Sequence, residues 1–152
     1  MALVSVVMGS KSDSETLQPA LDILKGFGID YEVQVISAHR TPEKARQYAQ
    51  AARGKGVEVI IAAAGGAAHL PGVLASWTTL PVIGIPLASS DLKGLDALYS
   101  IVQMPAGIPV ACVSVGAWGV KNAAYLAAQI LALKYDSVLE ALTKYRNELA
   151  RS

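Results

Sequence analysis

The sequence predicts a doubly wound α/β domain, a parallel sheet with helices on both faces. Three observations predict it. Strand-like apolar runs and helix-like stretches alternate five times along the chain. The run from Val57 to Ala63 is almost wholly apolar, as strands buried on both faces of a parallel sheet are. No internal repeat, linker or low-complexity segment interrupts the alternation, so the 152 residues read as one domain, 1–152.

Leu3 to Met8 (LVSVVM) is the first strand. In the loop after it, Ser12 and Glu15 have capping-box spacing, and Leu17, Ala20, Leu21 and Leu24 line one face of the following helix. Gly26 and Gly28 close that helix. Tyr31 to Ile36 alternates and is rich in β-branched and aromatic residues, which makes it the second strand. Thr41 can cap the next helix and Pro42 suits its first position. That helix runs from Glu43 to Ala52 and stops at Gly54 and Gly56. After the third strand, Val57 to Ala63, the loop Ala64 to Gly72 leads into a short helix ending near Trp77. Pro81 to Ile85 is the fourth strand, followed by the long loop Pro86 to Gly94 and a helix from Leu95 to Met104. Val110 to Val115 is the fifth strand and places Cys112 in an apolar run. Lys121 to Leu133 is apolar nearly all round, which predicts burial on more than one side. Tyr135, Val138, Leu139, Leu142, Tyr145 and Leu149 then make an extra C-terminal amphipathic helix. A flavodoxin-like strand order, 2-1-3-4-5, sets the loops after strands two, one and three side by side.

Composition narrows the function. The 13 basic and 12 acidic residues nearly cancel, so no nucleic acid or anionic membrane surface is expected as a partner. Apolar residues make up 53%, yet no run approaches the roughly 20 needed to span a bilayer. The N-terminus enters a strand directly and shows no signal peptide. One cysteine, Cys112, excludes an internal disulfide and fits a reducing cytoplasm. So apolar a small domain is expected to bury surface against copies of itself.

The chemistry-bearing residues collect in the three strand-end loops, where parallel α/β sheets place their ligands. In Gly9-Ser10-Lys11-Ser12-Asp13, two readings stand. The Ser12–Glu15 cap can explain the loop locally; alternatively, a helix N-terminus with free amides and hydroxyls suits a phosphate. It is neither a P-loop nor a dinucleotide fingerprint. Asp13 would repel phosphate but accept bonds from a sugar diol. The chain has two histidines. His39 ends the second strand, and Arg40 beside it is a bidentate phosphate donor. An imidazole titrates near neutrality and can move a proton either way. His69 opens a helix and could cap or pack; Gly65, Gly66, Ala67 and Ala68 around it permit close approach of a ligand. Two histidines and one strand-buried cysteine disfavour a zinc or iron site, and no nucleophile elbow is present. Proton transfer on a phosphorylated, ribose-bearing small molecule remains. A non-catalytic flavodoxin-like module would leave His39 and Arg40 idle. A flavin would want aromatic stacking, and these loops hold none apart from histidine.

MGSKSD (Met8 to Asp13), SAHRTP (Ser37 to Pro42), AGGAAHLPG (Ala64 to Gly72) and LYSIVQMP (Leu98 to Pro105) together resemble the N(5)-carboxyaminoimidazole ribonucleotide mutase family of purine biosynthesis. The likeness covers essentially the whole chain. It implies a cytoplasmic, cofactor-free and metal-free isomerase that moves a carboxylate from the exocyclic amine to a ring carbon of the imidazole. On this sequence, Ser10, Asp13 and Arg40 would hold the ribonucleotide substrate, with Ser12 and Ser37 supporting phosphate and ribose. Ala64, Gly65, His69 and Leu70 would surround the migrating carboxylate, and His39 would be the general acid and base. The resemblance also implies a homo-octamer and leaves room for transient contact with the synthetase that supplies the substrate. A sister branch, aminoimidazole ribonucleotide carboxylase, uses free carbon dioxide; Arg40 and the intact GGAAHLPG resemble the mutase branch instead. Trp118 stands where the family usually carries a small residue, and the loop Leu87 to Lys93 matches no family pattern closely.

Overall fold

The computed structural model describes residues 1–152. Parallel strands β1 (Val4–Met8), β2 (Tyr31–Val35), β3 (Val59–Gly65), β4 (Val82–Leu87) and β5 (Ala111–Cys112) form one sheet in the order β2-β1-β3-β4-β5. This is the flavodoxin-like order that the sequence predicts. Val4 lies opposite both Tyr31 and Val59, and Met8 opposite Val35 and Ala63, so β1 is flanked on both sides. The helices are α1 (Ser14–Gly26), α2 (Pro42–Ala52), α3 (Leu70–Ser76), α4 (Leu95–Val102), α5 (Ala117–Ala132) and α6 (Asp136–Leu149). No helix is long and apolar enough to cross a membrane.

Successive strand side chains point to opposite faces, so each apolar strand feeds two cores. Val4, Val6 and Met8 pack with Leu17, Leu24 and the alanines of α5 on one face. Val7, Ile60 and Ala62 pack with Tyr48, Leu74 and Ile101 from α2, α3 and α4 on the other. Ser5 is the one fully buried hydroxyl of the strands, and the Tyr48 hydroxyl donates to it. The buried stripe of α5 is small, with Ala123, Ala124, Ala127 and Ala128, which lets the helix approach the sheet closely. It packs against α1 on one side and α6 on the other, as its all-round apolarity predicts.

Boundaries depart from expectation where tertiary contacts decide them. β5 is two residues long, because its pairing with β4 is confined to Ile83–Ala111 and Gly84–Cys112. Cys112 is therefore half-buried at the sheet edge and not a core residue. β3 and β4 run two residues further than predicted, since pairing continues through Ala64–Pro86 and Gly65–Leu87. That extension carries Gly65 and the start of the next loop to the rim of the site.

Candidate active site

Three loops meet at the carboxyl ends of β2, β1 and β3. The first carries an extra 3-10 turn, Lys11–Asp13, which delays the start of α1 to Ser14. The expected Ser12–Glu15 capping box is consequently not formed, because Ser12 now lies outside the helix. Ser10 takes over the capping role: its Oγ accepts from the Ser12 amide at 3.3 Å and lies 2.9 Å from the Ser12 hydroxyl. Asp13 occupies the N-cap position of α1, but its side chain makes no cap bond. The carboxylate is left for another partner.

The second loop is braced from within. Ser37 C=O accepts from the Thr41 amide and from Thr41 Oγ1, both at 2.9 Å, and Thr41 Oγ1 accepts from the Ser37 amide at 3.2 Å. Thr41 therefore ties the loop to itself and does not cap α2 with its side chain, as had been expected; Pro42 at the first helical turn needs no such partner. Ser37 Oγ accepts from the Arg40 amide at 3.1 Å, which leaves its hydroxyl hydrogen free to donate outward.

His69 holds the N-cap position of α3, yet its ring caps nothing. Instead His69 Nδ1 and His39 Nε2 lie 2.7 Å apart, with the rings nearly perpendicular at 81°. β2 and β3 are separated by β1, so this contact bridges two strand spacings over the first loop. Between neutral imidazoles, one nitrogen must donate and the other accept, so each ring constrains the tautomer of its neighbour.

Beneath the pair lies a cavity of about 380 Å³. Every predicted site residue lines it: Ser10, Ser12 and Asp13 from the first loop, Ser37, His39 and Arg40 from the second, and Ala64, Gly65, His69 and Leu70 from the third. Gly9, Ala38 and Ala67 complete the same loops. Ser89 is the lining residue that sequence reasoning missed; the only hint was the unusual length of the loop after β4. Grooves of 330 and 430 Å³ flank α6; Tyr125 and Tyr145 line both, with aliphatic side chains and the exposed ends of residues such as Gln129, Arg146, Lys144 and Glu148, and neither holds an imidazole.

The cavity carries two opposite charges that are not spent on the protein. Burial pushes the Asp13 carboxyl above the usual aspartate range, against a smaller lowering by the Ser10 backbone. The ion pairs of the chain are Met1–Asp30, Glu43–Arg46 and Glu58–Lys134, so neither Asp13 nor Arg40 is neutralised within it. An unpaired guanidinium beside free hydroxyls suits a phosphate, and an unpaired carboxylate suits a sugar diol.

The family model described as AIR carboxylase matches residues 3–152. N5-carboxyaminoimidazole ribonucleotide mutase of Saccharolobus solfataricus is 57% identical over 149 residues, covering 98% of this chain and 93% of that protein. The protein of the same name from Pseudomonas aeruginosa is 58% identical over 145 residues, covering 95% of this chain and 89% of that one. Among solved structures, Treponema denticola PurE superposes with a TM-score of 0.87 at 30% identity, covering 99% of this chain and 93% of its own. From matches that run through every strand and all three site loops, the chain belongs to the AIR carboxylase family.

Proposed function

We propose that this chain is an isomerase of purine biosynthesis that converts N5-carboxyaminoimidazole ribonucleotide to its 4-carboxy isomer. The relatives more than half identical to it carry the mutase name, which supports the isomerase over the carboxylase reading. The observation that carries the chemistry is the His39–His69 pair set over a cavity with an unpaired Arg40 and Asp13.

The reaction needs one proton moved twice. As the carbamate N–C bond breaks, its electron pair stays on nitrogen, carbon dioxide departs and the amine gains a proton from His39. The ring carbon then attacks the same carbon dioxide, and the ring proton returns to His39. Proton balance is zero, so no external acid or base is consumed. Arg40 and the loop hydroxyls hold the phosphate, and Asp13 accepts from the ribose. Ala64, Gly65, Ala67 and Leu70 offer a small, weakly polar space in which carbon dioxide is retained between the two steps. His69 orients His39 through their shared hydrogen bond. The assembly proposed is an octamer, supported by apolar side chains left uncovered on α4 and α5.

Supplying the labile carbamate ribonucleotide without added bicarbonate tests the assignment. The expected outcome is enzyme-dependent appearance of the ring-carboxylated product. Product formed only from the decarboxylated ribonucleotide plus bicarbonate would move the chain to the carboxylase reading.

A further inference from the structure

We infer that Ser89 is a further substrate-contacting residue, its hydroxyl donating to the carboxyl group while that group is between nitrogen and carbon. The inference rests on the isomerase reading above. Ser89 comes from the loop after β4, not from the loops that carry the other polar groups, and it lines the cavity beside Gly65. Its placement is specific. A Cβ built on Gly65 would lie 1.7 Å from Ser89 Oγ and 2.9 Å from Ser89 Cβ, so the serine is seated in the space a side chain at position 65 would fill. The register Gly65–Leu87 brings the two backbones together there.

The loop is also held in place. Ser90 Oγ donates to Asp96 Oδ2 and accepts from the Leu92 amide at 3.2 Å, and the Lys93 amide donates to Ser90 C=O at 3.0 Å. Lys93 turns the chain with a positive φ of 54°, and Gly94 follows at 91°. Ser90 and Asp96 are thus engaged with each other, whereas Ser89 is exposed, makes no side-chain hydrogen bond within the chain and lines the cavity. The other lining residues of that loop are Ala64, Ala67 and Leu70, which offer no side-chain donor, and His69, whose Nδ1 is engaged with His39. A carboxylate or carbon dioxide oxygen there would find its side-chain hydroxyl donor in Ser89. That contact would hold carbon dioxide in place through the interval in which it is bonded to nothing.

The test measures partition, with the enzyme-free decay of the carbamate subtracted. Parent, Ser89→Ala and Gly65→Ala enzymes receive the carbamate ribonucleotide, and ring-carboxylated product is counted against decarboxylated ribonucleotide. In Ser89→Ala the share lost to decarboxylation is expected to rise about tenfold relative to product, the range for one hydrogen bond to a charged group. Gly65→Ala should raise it too, because its methyl evicts Ser89. An unchanged partition in Ser89→Ala, whatever its overall rate, overturns the inference. Failure of the parent enzyme to form product would instead overturn the isomerase reading.

Discussion

His39 and His69 share one hydrogen bond, so replacing either changes the other, but not equally. His39→Asn removes the group proposed to exchange the proton with substrate, while the loop brace through Ser37 and Thr41 stays intact. Turnover is expected to fall by at least about 10²-fold with the fold and ligand binding retained. His69→Asn removes the proposed orienting partner and should cost less. Steady-state rates of both variants decide this; the reverse order would place the proton shuttle on His69. Arg40 is the second residue-scale case. Its guanidinium has no carboxylate partner, so Arg40→Leu leaves no orphaned charge and should not unfold the chain. Substrate affinity should weaken by roughly one to two powers of ten, measured by calorimetric titration. Unaltered affinity would assign the phosphate to Lys11.

At the scale of elements, the joint between α5 and α6 is pinned to the base of the sheet. Lys134 Nζ and Tyr135 OH both donate to Glu58 Oε1, at 2.5 and 2.6 Å, just before β3 begins. The bond from Lys134, then that from Tyr135, hold the Glu58 carboxyl below the usual glutamate range. A depressed carboxyl stabilises the fold above its ordinary pKa, and that stability is lost as pH falls through the lowered value. Glu58→Gln should therefore lower the thermal midpoint at pH 7. The two midpoints should converge once Glu58 is itself protonated, since the parent has then lost the same charge. Equal midpoints at pH 7 would show that the joint is held by apolar packing, Leu131 and Val138 included.

Across the whole molecule, the cores do not absorb all the apolar surface. On α4, Leu95, Tyr99 and Val102 share a face and are about half exposed or more, and Leu92 in the preceding loop is 63% exposed. Trp118 is 79% exposed at the start of α5, so little of its ring is covered within its own chain. Such a patch on a small domain marks an interface. Light scattering is expected to report an octamer, and Tyr99→Glu to shift it to smaller species by placing a charge in that patch. A monomeric parent would contradict the assembly.

The sequence by itself determined the fold class, the strand order and the three loops that line most of the cavity. Strand period and glycine stops act over a few residues, and those residues are contiguous in the chain. It also picked out the polar lining groups of those loops, because Ser10, Ser12, Asp13, Ser37, His39, Arg40 and His69 all lie between a strand and the helix that follows it. The tertiary structure alone decided what these groups do to one another. The His39–His69 bond joins residues 30 apart in sequence and depends on the spacing of β2, β1 and β3. Ser89 enters the site only because β4 pairs with β3 far enough to lay it on Gly65. The shortening of β5 has the same origin. A local pattern proposes a bond or a pairing, and the neighbours that packing brings decide whether it forms.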